Sequence, residues 1–267
     1  MTLDFIDELE RLIAELAADD SVRALVFTGE GEENFSVGMN LKQLPEGMER
    51  MGGPEALFDQ RLRVIAAIEN LGKPSVATLF GYCLGGGLEL PLGCHFRLAA
   101  QEGAQIGLPE MELGAVPAWG GSARLSKCVG RNQALDMILR GKKISGPEAL
   151  RIGLVRELWP LAELKERAIA LALELTEQPA GAVRSMLQVI VGSEDRSLED
   201  VLAAERRRYW TIWARRMPPR ALWRFWRSVS RSSTRAEVIS SPALFLCCTE
   251  GVPYFLRSLM QRSFGGI

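Results

Sequence analysis

Short β-rich runs that alternate with amphipathic helical stretches predict an α/β fold built in layers. Two further observations agree. Hydrophobic residues fill 47% of the 267 positions, enough for a sizeable core in one large domain or a domain with an appendage. No uninterrupted apolar run reaches about eighteen residues, so no membrane span is expected. A basic segment leading into an apolar stretch and a small-residue cleavage site is also missing, which points away from a secretory leader. Cys83, Cys94, Cys128, Cys247 and Cys248 have neither zinc-ligand nor disulfide spacing, and reduced thiols in a cytoplasmic compartment are the expectation.

The elements follow in order. LDFIDELERLIAEL places Leu3, Ile6, Leu9, Ile13 and Leu16 on one helical stripe. VRALVFTGEG (22–31) reads as a buried strand that ends in a loop of glycines and acids. Gly53-Pro54 opens a second helix, with Leu57, Val64, Ile65 and Ile68 roughly in phase. PSVATLFGY is the next strand and runs directly into Gly85–Gly87. HFRLAA and AQIGLPE read as short extended pieces around a turn. In ISGPEALRIGLV, Ser145 precedes Glu148 by three residues, a capping-box signature, and Gly153 marks the stop. ELKERAIALALEL (163–175) and GAVRSMLQVIV (181–191) are two more helices. No internal repeat stands out.

The formal charge of −1 conceals an asymmetry. From Arg206 onward there are twelve arginines, no lysine and two acids, Glu237 and Glu250, a balance of +10. Residues 1–205 therefore hold 20 basic and 31 acidic side chains, a balance of −11. Four of the six tryptophans also fall within 210–226. Two compositions meet near residue 206.

The chemistry concentrates in LFGYCLGGGLELPLG (79–93). A strand ending in glycines before a helix presents free N–H groups at a positive dipole end, which suits a phosphate or a developing oxyanion. The Lys-Ser/Thr of a phosphate loop and the GxGxxG of a dinucleotide site are both absent. The triplet alone could equally serve tight strand–helix packing. Glu89, in the first turn of the following helix, could simply stabilise that helix's dipole, and Glu110, after Pro109, could be a solvated turn acid. Together they could form a carboxylate pair beside an N–H cradle, the set that acid–base chemistry next to a carbonyl requires.

The segment PSVATLFGYCLGGGLELPLGCHFRLAAQEGAQIGLPEMELGAVPAWGGSARL resembles the signature region of the enoyl-CoA hydratase/isomerase (crotonase) superfamily. ENFSVGMNLKQL is similar to that family's earlier A-x-G-x-D-[IL] segment, and ISGPEALRIGLVREL to a later stretch. The resemblance runs from about residue 2 to about 205. It implies a crotonase-like spiral of ββα units with a C-terminal helical region, and a coenzyme A thioester substrate. It further implies an oxyanion hole from the N–H groups of Met39 and Gly86, and a CoA-binding segment of Met39, Asn40, Leu41 and Lys42. Glu89 and Glu110 match the two acids that hydratases keep, and Ala118 stands where dienoyl isomerases and dehalogenases place an aspartate. The resemblance thus implies an enoyl-CoA hydratase that adds water syn across a 2-enoyl-CoA double bond, or the reverse. The alternatives are an enoyl-CoA double-bond isomerase, an inactive remnant of the family, and a non-catalytic binding protein with a basic Arg/Trp tail. No metal and no separate cofactor are implied, because coenzyme A is part of the substrate; no nucleic-acid partner is implied either. A homotrimer or hexamer is expected where the C-terminal region permits.

Four positions depart from the family pattern. Met39 replaces a small alanine and Asn40 an aspartate; Trp119 stands among small residues and is expected to shape acyl binding. His95, the single histidine, occupies a position where aspartate is common and is expected to be structural. Both ends also depart. The family's first β-hairpin has no counterpart ahead of Met1, and the expected domains are a core over 1–195 and a C-terminal region over 196–267, atypical from about 207. Back-translating from Arg208 and dropping two bases yields VLDNMGTEDAAEGPMAFLEKRK, similar to the family's ordinary C-terminal segment. Residues beyond about 207 are therefore expected to be a frameshifted reading. As a genuine module, the tail would bind anionic membranes or nucleic acid, although Pro218–Pro219 interrupts any long helix through it.

Overall fold

The computed structural model describes residues 1–193 and 195–216. The chain divides into two units, Met1–Trp213 and Ala214–Ile267, and the fold below is that of the first. Pro218–Pro219, Cys247, Cys248 and most of the arginine-rich tail lie outside the described residues.

Helix α1 (Leu3–Ala18) starts at Thr2, whose Oγ1 accepts the Phe5 N–H at 3.1 Å. Its stripe faces inward as expected: Leu3, Ile6 and Ile13 are buried, with Leu9 and Leu16 partly so. Strand β1 (Leu25–Phe27) is shorter than the 22–31 run. After a 3-10 turn at Leu41–Gln43 come α2 (Leu44–Met51) and α3 (Pro54–Glu69). Helix α3 buries the four expected apolar residues and also Gln60 and Arg61. Gln60 Nε2 donates to Asp7 and Glu10 of α1, at 2.8 and 2.9 Å. Arg61 donates to the Leu57 carbonyl and to Gln60 Oε1, and burial lowers its affinity for its proton.

The centre of the unit follows: β2 (Ser75–Leu79), β3 (Tyr82–Leu84), α4 (Gly86–Leu92), β4 (Phe96–Ala100) and β5 (Gln105–Gly107). A 3-10 turn at Glu110–Leu113 leads to α5 (Gly121–Val129), α6 (Arg131–Leu139), α7 (Gly146–Arg151) and β6 (Glu157–Trp159). Helices α8 (Leu161–Thr176), α9 (Ala180–Val191) and α10 (Leu198–Arg216) complete it.

Strands β1, β2, β4 and β6 form one parallel sheet in that order, with Val76 opposite Phe96 and Leu98 opposite Glu157. Strands β3 and β5 pair in parallel as a second sheet, extended on either side by bridges from Ser36 to Cys83 and from Ile106 to Ile144. Each pass of the chain thus adds a strand to the first sheet and then an extended piece to the second: β1 then Ser36, β2 then β3, β4 then β5. This is the expected spiral of ββα units, generated by repeated parallel crossovers. Every residue of β2 is buried, as a parallel strand covered on both faces should be. Helix α8 packs across the first sheet, and Leu88, Ile106, Leu108 and Leu125 belong to the same core cluster as Val76 and Leu98. Each such aliphatic side chain contributes about 1.5–3 kcal/mol by leaving water.

Helices α5 and α6 were not anticipated from the sequence. Both start at a glycine in a positive-φ conformation, Gly120 and Gly130, and neither has a side-chain cap. The Ser145 signature is half realised. Its Oγ accepts the Glu148 N–H at 3.3 Å, but the Glu148 carboxylate accepts from Lys142 Nζ at 2.8 Å instead of closing the box.

Candidate active site

Strand β3 delivers the chain into Gly85, which holds φ +55° at the start of α4. The neighbouring 36–39 segment lies alongside through two main-chain bonds: Ser36 N–H to the Tyr82 carbonyl and Leu84 N–H to the Ser36 carbonyl, both 3.0 Å. Gly38, at φ +87°, closes the approach; a Cβ there would lie 2.9 Å from the Leu84 carbonyl and 3.0 Å from the Gly86 nitrogen. The two loops that carry the Met39 and Gly86 amides are therefore side by side. Among the described residues, neither of these amides donates to a protein acceptor.

The triplet has a steric reason at each position. A Cβ on Gly85 would stand 2.8 Å from Glu110 Oε1, one on Gly86 2.3 Å from the Trp119 ring, and one on Gly87 2.1 Å from the Ser36 carbonyl. Close packing and an amide end without a protein acceptor are thus two consequences of one arrangement, and the first does not replace the second.

Glu89 projects from α4 into the interior and is 2% exposed. Its Oε1 accepts the Trp119 N–H at 2.8 Å and the Gly121 N–H at 2.9 Å. The positive helix end it meets is that of α5, so serving the dipole of its own helix does not describe its contacts. Burial pushes its pKa up to about 7; the two N–H bonds and Arg124 act against that rise, and Glu110 adds to it.

Glu110 opens the 3-10 turn after Pro109 and is partly buried, not a fully solvated turn acid. Its Oε1 faces Gly85, and its buried Oε2 has no hydrogen-bond partner among the described residues. Burial raises its pKa as well. Two carboxyls of heightened proton affinity therefore flank the amide-bearing turn. Such a pair can hold a proton at neutral pH and pass it on, which ordinary surface carboxylates cannot.

The remaining expected residues are placed as follows. Trp119 is 4% exposed and covers Gly86 in the apolar cluster that also includes Met39 and Ala118. Asn40 caps the following 3-10 turn, its Oδ1 accepting the Lys42 N–H at 3.2 Å. Leu41 and Lys42 are exposed beside it. His95 lies away from this group: its Nδ1 accepts the Ser75 N–H at 3.1 Å, which leaves Nε2 to donate to the Glu69 carbonyl at 3.2 Å. Burial lowers its pKa, so it is a neutral structural side chain, as expected. Sequence reasoning missed Gly38 and Arg124. The G-x-N spacing offered a faint signal for the first; for the second there was only an arginine four residues after a glycine.

Residues 1–216 match the family model described as enoyl-CoA hydratase/isomerase. A probable enoyl-CoA hydratase of Bacillus subtilis is 35% identical over 205 residues, covering 76% of this chain and 78% of that protein. The fatty acid oxidation complex subunit alpha of Shewanella baltica is 38% identical over 191 residues, 71% of this chain, but the chain spans only 27% of that protein's length. Among solved structures, an enoyl-CoA hydratase from Bacillus anthracis superposes with a TM-score of 0.78 at 30% identity, covering 84% of this chain and 86% of that one. DspI of Pseudomonas aeruginosa superposes with a TM-score of 0.73 at 33% identity, covering 79% of each chain. The spiral of paired strands, the amide-bearing turn with its two carboxyls, and a family match over residues 1–216 lead to one conclusion: the chain belongs to the enoyl-CoA hydratase/isomerase family.

Proposed function

We propose that the chain hydrates 2-enoyl-CoA thioesters, adding water syn across the double bond, with Glu89 and Glu110 as the acid–base pair. One observation carries the reading: a buried carboxyl, Glu89, and a partly buried one, Glu110, both of raised proton affinity, flank a turn whose Gly86 amide has no protein acceptor among the described residues. The N–H groups of Met39 and Gly86 hold the thioester oxygen. Because two adjacent carboxylates repel, the working state carries one proton between them. The ionised member takes a proton from a water as that oxygen adds to C3, and the π electrons move onto the thioester oxygen as an enolate. The amides stabilise the developing charge in a site shielded from bulk water. The enolate then collapses, C2 takes the proton of the protonated member, and the pair ends with its single proton on the other carboxyl.

Met39, Asn40, Leu41 and Lys42 run along the coenzyme A portion, and Trp119 bounds the acyl side next to Gly86. The step needs only water, two carboxyls and two amides, so no separate cofactor is assigned. A cytoplasmic location and a homotrimer or hexamer complete the proposal. No helix among the described residues is long and apolar enough to cross a membrane. The test is product identity: a short 2-enoyl-CoA incubated in ¹⁸O water should give a 3-hydroxyacyl-CoA carrying the label. Migration of the double bond without label would favour the isomerase reading, and an unchanged substrate would favour a non-catalytic chain.

A further inference from the structure

Glu89 is held by a turn, and that turn has its own anchor. Residues 119–121 present the two N–H groups that reach Glu89 Oε1, and one turn later α5 carries Arg124. The Arg124 guanidinium folds back over Gly120, so closely that a Cβ there would lie 2.2 Å from Nη1. Nη1 donates to the Trp119 carbonyl at 3.2 Å, while Nε and Nη2 both donate to Glu69 Oε2 at 3.2 and 2.8 Å. The pair is largely sheltered, with side-chain exposures of 16% and 30%. Glu69 is the last residue of α3, and its carbonyl accepts from His95 Nε2, while His95 Nδ1 accepts the N–H of Ser75 at the start of β2. A continuous series of bonds thus runs from the central sheet to the Trp119 carbonyl, and the same turn's N–H groups end on Glu89.

We propose that Arg124, anchored by Glu69, is a positioning residue for Glu89: it fixes the Trp119–Gly121 turn whose two N–H groups hold the Glu89 carboxyl. The catalytic consequence rests on the hydratase reading; the positioning itself does not. An exposed ion pair would contribute little, but this one is sheltered, and its guanidinium also donates through Nη1 to the carbonyl between the two critical amides. The charged group facing Glu89 from the 3-10 turn is Glu110, and the one from α5 is Arg124. Glu69 faces Arg124, and neutral His95 lies behind Glu69. Removing the guanidinium withdraws a positive charge and slackens two bonds to the ionised form, and both changes favour the protonated acid.

The experiment compares the full chain with its Arg124→Met and Arg124→Lys variants. Glu89 is followed by ¹³C-carboxyl NMR titration, assigned with Glu89→Gln, and hydration of a short 2-enoyl-CoA is measured across pH. In Arg124→Met the Glu89 midpoint should rise by about one pH unit. Its kcat should fall between about 10- and 100-fold, with KM changed by less than about threefold. Arg124→Lys should restore most of the midpoint, a recovery that a merely structural role would not produce. A folded Arg124→Met chain with an unmoved midpoint overturns the proposal. If that variant does not fold, Arg124→Gln decides: it withdraws the charge while its amide can still donate to the Trp119 carbonyl, so the midpoint should rise, and an unmoved or lowered midpoint overturns the proposal. An inactive parent chain with the expected midpoint shifts would overturn the hydratase reading alone.

Discussion

Replacing Glu89 by glutamine should make the protein more stable in alkali while removing its activity. Glutamine keeps the shape and can still accept the Trp119 and Gly121 N–H groups through its own Oε1. What it removes is a buried ionisable group whose pKa stands at about 7 in the fold against 4.5 for the free side chain. Below the unfolded value both states are protonated and nothing is lost. Between the two values the unfolded chain ionises first, so the parent loses stability as pH rises, and above about 7 the loss is complete. The difference corresponds to about 3 kcal/mol as a ceiling, since partial hydration of the carboxylate reduces it. For a unit of this size that ceiling is a Tm gain of roughly 6–12 °C. Thermal unfolding of parent and Glu89→Gln from pH 4 to pH 9 is the assay. The two curves should converge at the acid end and diverge through neutrality with the variant above. A variant no more stable than the parent at pH 9, relative to pH 4, would refute the claim that the fold carries a desolvated carboxylate at this position.

Other consequences concern packing and local structure. Gly86→Ala drives a methyl into the Trp119 ring and should cost about 1–3 kcal/mol in denaturant unfolding while lowering kcat by disturbing the adjacent amide. Ser145→Ala removes the cap of α7 and should cost about 1 kcal/mol without affecting hydration, because Glu148 is satisfied by Lys142.

The parts of the fold legible in the sequence are those whose signals are local. The α1 stripe and the four apolar residues of α3 repeat at helical intervals, Ser145 marks a helix start three residues ahead of Glu148, and the buried run of β2 declares a covered parallel strand. Helices α5 and α6 were illegible because glycines in positive-φ conformations begin them, a turn geometry that carries no helix-start signature. The site divided in the same way. The glycine triplet and both glutamates could be singled out from spacing, and the family resemblance supplied Met39. The bond from Glu89 to the Trp119 and Gly121 amides spans about thirty residues and depends on how α4 meets α5, which no local pattern encodes. Arg61 could not be foreseen either: it sits among apolar residues on α3, where a charged side chain ordinarily reads as solvent-facing.

The most direct test of the central claim is the loss of enoyl-thioester absorbance with a short 2-enoyl-CoA, measured for the parent, Glu89→Gln, Glu110→Gln and a chain carrying the VLDNMGTEDAAEGPMAFLEKRK continuation after residue 207. The account expects hydration by the parent or by the chain with that continuation, with each glutamine substitution in the active background lowering kcat by about 10²–10⁴-fold. Hydration by neither chain, or rates within about threefold of the active background in both glutamine variants, would contradict it.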